Sequence, residues 1–108
     1  MLRHTIVETV SFPKGEKTSA VFENSDHYHL GVVLPAEFSG SQLEFLVGGD
    51  RNTLYTLYDG TGGKVAITAA SSQAFSLPDA VCDFKAVQLV ADSANTATSV
   101  VATIVKKS

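Results

Sequence analysis

The chain has 108 residues, 44% of them hydrophobic and 18% charged. That length builds one domain around one core, and the apolar content excludes a disordered chain. Eight basic and eleven acidic residues give a net charge of -3, and no cluster of Lys and Arg marks a nucleic-acid surface.

A single cysteine, Cys82, excludes an intramolecular disulfide. It reads as a small apolar residue, buried or half-buried, because no positioned base accompanies it. The longest apolar run, Leu30 to Ala36, is too short to span a bilayer, and the N-terminus lacks a stretch of signal-peptide length. The expected product is made and kept in the cytoplasm or released by lysis, without a membrane partner. Lys106-Lys107 reads as a solvated tail.

In chain order, residues 5–12 alternate with a period of two, and Pro13-Lys14-Gly15-Glu16 turns the chain. Residues 17–23 form a second strand candidate. Residues 27–34 place Tyr28, Leu30, Val32 and Leu34 on one face, and Pro35 stops them. Residues 42–47 send Leu43, Phe45 and Val47 inward, with Gln42 and Glu44 outward. Residues 53–59 are rich in β-branched and aromatic side chains. Residues 64–68 align Val65 with Ile67, and residues 73–77 align Phe75 with Leu77. Pro78 opens one helical turn over 78–83. Residues 84–92 and 96–106 are the last two strands. Recurrent turns between short alternating runs predict a single all-β domain over 1–108, an antiparallel sandwich or a small barrel, with residues 1–11 as its first strand or a reaching arm.

Gly60-Thr61-Gly62-Gly63-Lys64 invites a phosphate-loop reading. The Walker spacing would need a glycine where Tyr58 stands and a hydroxyl where Val65 stands. The dinucleotide pattern fails at Val65 too, and a strand rather than a helix follows. Asp59-Gly60 and Gly62-Gly63 instead suit a hairpin connection with positive φ. His27 and His29 share a strand face, as metal ligands can, but Val33 and Leu34 stand where a cupin-type acid would follow, and only His4 remains as a third imidazole. Glu8 and Glu44 read as outward strand residues. Tyr55 and Tyr58 fall on opposite strand faces, one expected in the core and the other exposed. Catalytic, cofactor-binding and metal-ligating residues are all expected to be absent.

Leu34, Pro35, Phe38, Gly40, Leu43 and Phe45 form one motif. A second comprises Leu57, Tyr58, Asp59, Gly60, Val65, Ile67 and Thr68, and a third Leu77, Pro78, Phe84, Val87 and Leu89. Their order over residues 30 to 106 resembles a type of small virion protein of tailed bacteriophages, the head-decoration or cement proteins. Ala91-Asp92 replaces the group's Ser-Gly turn, and Thr96 to Ser99 stand where an Arg commonly opens the last strand. The resemblance implies a jelly-roll-like β-sandwich of eight or nine strands, located on the capsid surface. It implies a non-enzymatic homotrimer whose partner is the major capsid protein. The alternatives are another virion or tail-associated part, or a carbohydrate-binding sandwich using Tyr55 or Tyr58.

Overall fold

The computed structural model describes residues 5–24 and 29–107. These residues form nine strands: β1 (Thr5–Phe12), β2 (Phe22–Glu23), β3 (His29–Leu34), β4 (Gln42–Gly48), β5 (Tyr55–Thr56), β6 (Ala66–Thr68), β7 (Gln73–Ser76), β8 (Ala86–Ala91) and β9 (Val100–Lys107). One 3₁₀ turn, Asp79–Asp83, follows Pro78, whose ring cannot continue the preceding extended chain's hydrogen bonding.

The strands form two antiparallel sheets. One has the order β1-β9-β3-β7, the other β2-β8-β4-β5, with β6 also on β4. Successive strands therefore alternate between the sheets, except around the β5 and β6 pair. This is the order of a jelly roll, in which Greek-key connections cross from sheet to sheet. β9 is one of the two interior strands of its sheet: all eight of its residues pair with β1, and Thr103, Ile104, Val105, Lys106 and Lys107 also pair with β3.

Alternation explains the core. Leu43, Phe45 and Val47 of β4 face Val87, Leu89 and Ala91 of β8 on the inner side, while Leu30, Val32 and Leu34 of β3 and Val100, Ala102 and Ile104 of β9 close the other layer. Phe45, Leu34 and Leu43 have no exposed surface. Each such side chain contributes roughly 1.5–3 kcal/mol through burial. The motif positions Leu34, Phe38, Leu43, Phe45, Leu57, Leu77, Val87 and Leu89 all lie in this core.

The segment between β1 and β2 binds both sheets. Ala20 N donates to Ser11 O on β1, while Ser19 N donates to Leu89 O on β8. Ser19 Oγ accepts from Leu89 N, and Gln88 Nε2 donates to Ser19 O. Serving two sheets costs the segment its regular ladder, so the expected strand over 17–23 keeps only Phe22–Glu23 and a lone bridge at Thr18. The last strand also starts later than its composition predicts. Asn95 Oδ1 accepts from Ala97 N and Thr98 N, a local turn that competes with extension.

Replacing Phe45 with Ala should cost about 3–5 kcal/mol in urea unfolding, because the two closed sheets cannot collapse fully into the cavity. Val33→Ala, on the outer side of the neighbouring sheet, should change stability by less than about 0.5 kcal/mol. Equal effects would contradict the assignment of inner and outer faces.

Candidate functional site

The glycine-rich loop has a clear structural origin. Tyr55 pairs with Val47, Thr56 with Leu46, and Leu57 N donates to Phe45 O at 3.0 Å. The next partner, Glu44, pairs with Ala66, followed by Leu43 with Ile67 and Gln42 with Thr68. The register on β4 is thus unbroken, while residues 58–65 leave the sheet and return. β5 and β6 are one strand from which a small hairpin buds. Tyr58 bridges Lys64 at its base, and Asp59 N donates to Gly63 O at 2.8 Å.

Asp59 organises the tip. Its Oδ1 accepts from Thr61 N at 2.8 Å, Thr61 Oγ1 at 2.7 Å and Gly63 N at 3.1 Å. These bonds hold its carboxyl below the usual aspartate range, the Thr61 hydroxyl contributing most. Only Gly62 of the loop glycines takes positive φ, at 92°. Thr61 N and Gly63 N donate to the loop's own carboxylate and Gly62 N to the Asp59 carbonyl, which makes this loop a self-contained turn.

Asp92 does the same at the start of β4. It accepts from Ser41 N at 2.7 Å and Ser41 Oγ at 2.6 Å, and its carboxyl is likewise held low, chiefly by the Ser41 hydroxyl. A side chain at position 40 would force Asp92 or Phe38 to move, since a Cβ would lie 2.7 Å from Asp92 Oδ1 and 2.8 Å from the Phe38 ring. Asp92, at the position where the resemblance has a turn, therefore secures the corner through its side chain.

The gap between the free margins of β1 and β2 is an open cleft of about 370 Å³ whose walls include Glu8, Thr9, Phe22, Glu23, Arg51 and Lys106. Lys106 is not the solvated tail residue expected. It is buried, because inward parity continues from Ile104 to position 106. Its Nζ lies 2.7 Å from Glu8 Oε1, donates to Glu23 O, and sits 5.8 Å from the Phe22 ring centre. Glu8 correspondingly lies on the inner side of β1 with Val10 and Phe12, not on the outer face expected. Arg51 pairs with Glu23 at 3.4 Å, both largely exposed, an interaction worth about 0–1 kcal/mol. The cleft's charges compensate one another.

The other expected residues are dispersed. Glu44 faces outward and meets Lys64 at 3.7 Å. Tyr55 and Tyr58 are both exposed, at 68% and 53%, so neither is the core tyrosine expected. Tyr55 lies on the core side of its strand, opposite Val47, but at the sheet margin, and Leu57 fills the core instead. Cys82 is half-buried in the 3₁₀ turn, and its thiol is pushed up by burial first, then by Asp79 and Asp83. Met1 to His4, His27 and Tyr28 lie outside the described residues, so the His27/His29 pair is not placed. Among the described residues, no three His, Cys, Asp or Glu side chains converge as a metal site would require, and no helix is long and apolar enough to cross a membrane.

The chain matches no protein-family model and no curated protein sequence. Among solved structures, the SPBc2 prophage-derived protein YomS is similar in fold, with TM-score 0.59, 10% identity, and coverage of 100% of this chain and 96% of that one. A cupin domain from Bordetella pertussis Tohama I aligns with TM-score 0.45 and 15% identity over 100% of this chain and 84% of its own. A triple jelly-roll turret protein of an archaeal virus aligns with TM-score 0.43 and 16% identity over 98% of this chain and 28% of its own.

Two outcomes follow from the loops. Deleting residues 58–65 and joining Leu57 to Ala66 should leave a cooperatively folding sandwich within about 2 kcal/mol of the parent, because the strand register on β4 already matches across the junction. Loss of the cooperative thermal transition would contradict the budded-hairpin reading. For Asp59 and Asp92, the folded carboxyls titrate below their unfolded values, so their contribution is complete at neutral pH and is lost as pH falls below about 4. NMR titration should show the Thr61 and Ser41 amide shifts moving with midpoints below the ordinary aspartate value, and Asp59→Asn should abolish the Thr61 response alone. Midpoints at the ordinary value would refute the proposed wiring.

Proposed function

We propose that the chain is a structural part of a phage virion, a cement protein that binds the outside of the head and bridges capsid subunits without catalysing a reaction. The observation that carries this reading is the coincidence of the phage-type motif residues with the core and corners of the jelly roll. The full-length fold similarity to a prophage-derived protein supports it.

The mechanism is mechanical. Closed sheets with carboxylate-wired corners form a stiff body that transmits load between neighbours. Attachment would use the hairpin at residues 58–65 and the margins of β1 and β2, where backbone groups are available to another chain. Several modest contacts on one assembly combine through effective concentration, so each can be weak while the attachment is strong. Lys64 and Tyr58 at the hairpin base offer a cation and an exposed aromatic for such a contact.

The exposure of both Tyr55 and Tyr58 favours a second reading, glycan binding. Glycan-array binding lost on a single Tyr→Ala change would select it.

The head reading is tested by adding purified protein to expanded, undecorated heads of the phage that encodes it. Saturable co-sedimentation and a rise in head melting temperature are expected, with affinity falling at least about tenfold for the protein lacking residues 58–65. Failure of the intact protein to co-sediment at any concentration would end the proposal.

A further inference from the structure

The outer face of the β1-β9-β3-β7 sheet differs from the rest of the surface. Its outward positions are small or β-branched, including Val7, Thr9, Val33, Val101, Thr103 and Val105. Ionisable groups among its described residues occur only in the end row, at His29 and Lys107. The outer side of the other sheet carries Glu23 and Glu44, each ion-paired. In a chain of net charge -3, one face without a described carboxylate is the one on which two copies meet without repulsion between carboxylates.

The relief of this face is self-complementary. Val7 is 62% exposed and pairs with Val105, which pairs on its other side with Gly31. Over Gly31 lies a hollow of about 390 Å³, bounded by His29, Ser76, Val105 and Lys107. A single row across the sheet therefore carries a projecting valine, a central valine and a hollow, one strand spacing apart.

We propose that this face joins two copies of the chain about a two-fold axis running along β9. Under that operation, Val7 of each copy seats over Gly31 of the other, and Val105 packs on its counterpart. Of the four strands in this sheet, β1, β9 and β3 overlap across such an axis while β7 overhangs, a projected footprint of roughly 300 Å² per copy at ~4.8 Å between strands and ~3.3 Å per residue. With side-chain relief the pair buries somewhat under about 1,000 Å² in total, the size of a weak, reversible interface. Lys107 meets its counterpart at the rim, where its long chain can turn to solvent. Added salt should therefore leave the pairing unchanged or tighten it. The contact is isologous and gives a pair, where the family resemblance implies a trimer.

The test uses purified protein alone and does not depend on the virion reading. Sedimentation equilibrium of the full chain up to about 100 µM should show a monomer–dimer equilibrium. Val7→Lys and Val101→Lys should each raise the dissociation constant at least about tenfold without lowering the monomer's melting temperature. Gly31→Leu should do the same by filling the hollow. The protomer has room for it, since a Cβ there lies 3.4 Å from Phe75 O and 4.0 Å from Val105 Cβ. A monomer at every concentration, a three-fold assembly, or pairing undiminished in both lysine variants overturns the proposal. So does a face whose lysine variants lose attachment to a particle while self-association is untouched.

Discussion

Everything in this molecule is arranged around the inward side of β9. Val100, Ala102, Ile104 and Lys106 follow one another there with a period of two, while β1 and β3 hydrogen-bond to the strand on either side. A one-residue slip would turn Ile104 to solvent and place Thr103 and Val105 in the core. The position of Lys106 opposes that slip as well, because only one register brings its ammonium to Glu8 and to the Glu23 carbonyl. Burial of a lysine is tolerated here because its head meets Glu8 and the Glu23 carbonyl at the end of the core, where the carboxylate partner is still partly exposed.

The charges elsewhere are used locally. Asp59 and Asp92 each hold backbone N–H groups and a neighbouring hydroxyl, which fixes loops that the sheets alone would leave loose. Asn95 ties the segment before β9 to Glu37 O and, through its own carbonyl, to Gly15 N. Polar groups are thereby consumed in making corners rigid. What is left at the surface is shape: strand margins, a budded hairpin and one sheet face without a described carboxylate. These are the features that the proposed load-bearing role would use.

Alternation made most of the sheet architecture legible. The inward sets on β4 and β3, the turn after Pro78 and the hairpin role of the glycine loop follow from residue type and spacing. Three features did not. Lys106 was misread because the C-terminal pair of lysines looks like a tail, although the parity running from Val100 pointed inward. The split of one strand into β5 and β6 was hidden because a hairpin inserted in a strand leaves the same local pattern as two separate strands. It emerges only from their shared register on β4. The expectation that one of Tyr55 and Tyr58 is buried fails because parity gives the side of a sheet but not whether the opposing layer extends far enough to cover it. The surface features are less legible still, since an outward valine reads the same in a solvent face as in a contact.

The most direct measurement is a reconstruction of the intact particle at a resolution that separates strands. The account predicts density for this jelly roll on the outer surface of the head. The hairpin of residues 58–65 should be turned toward capsid subunits, and the β1-β9-β3-β7 sheet should face a second copy. Density confined to the tail, or a head surface without this fold, would contradict it.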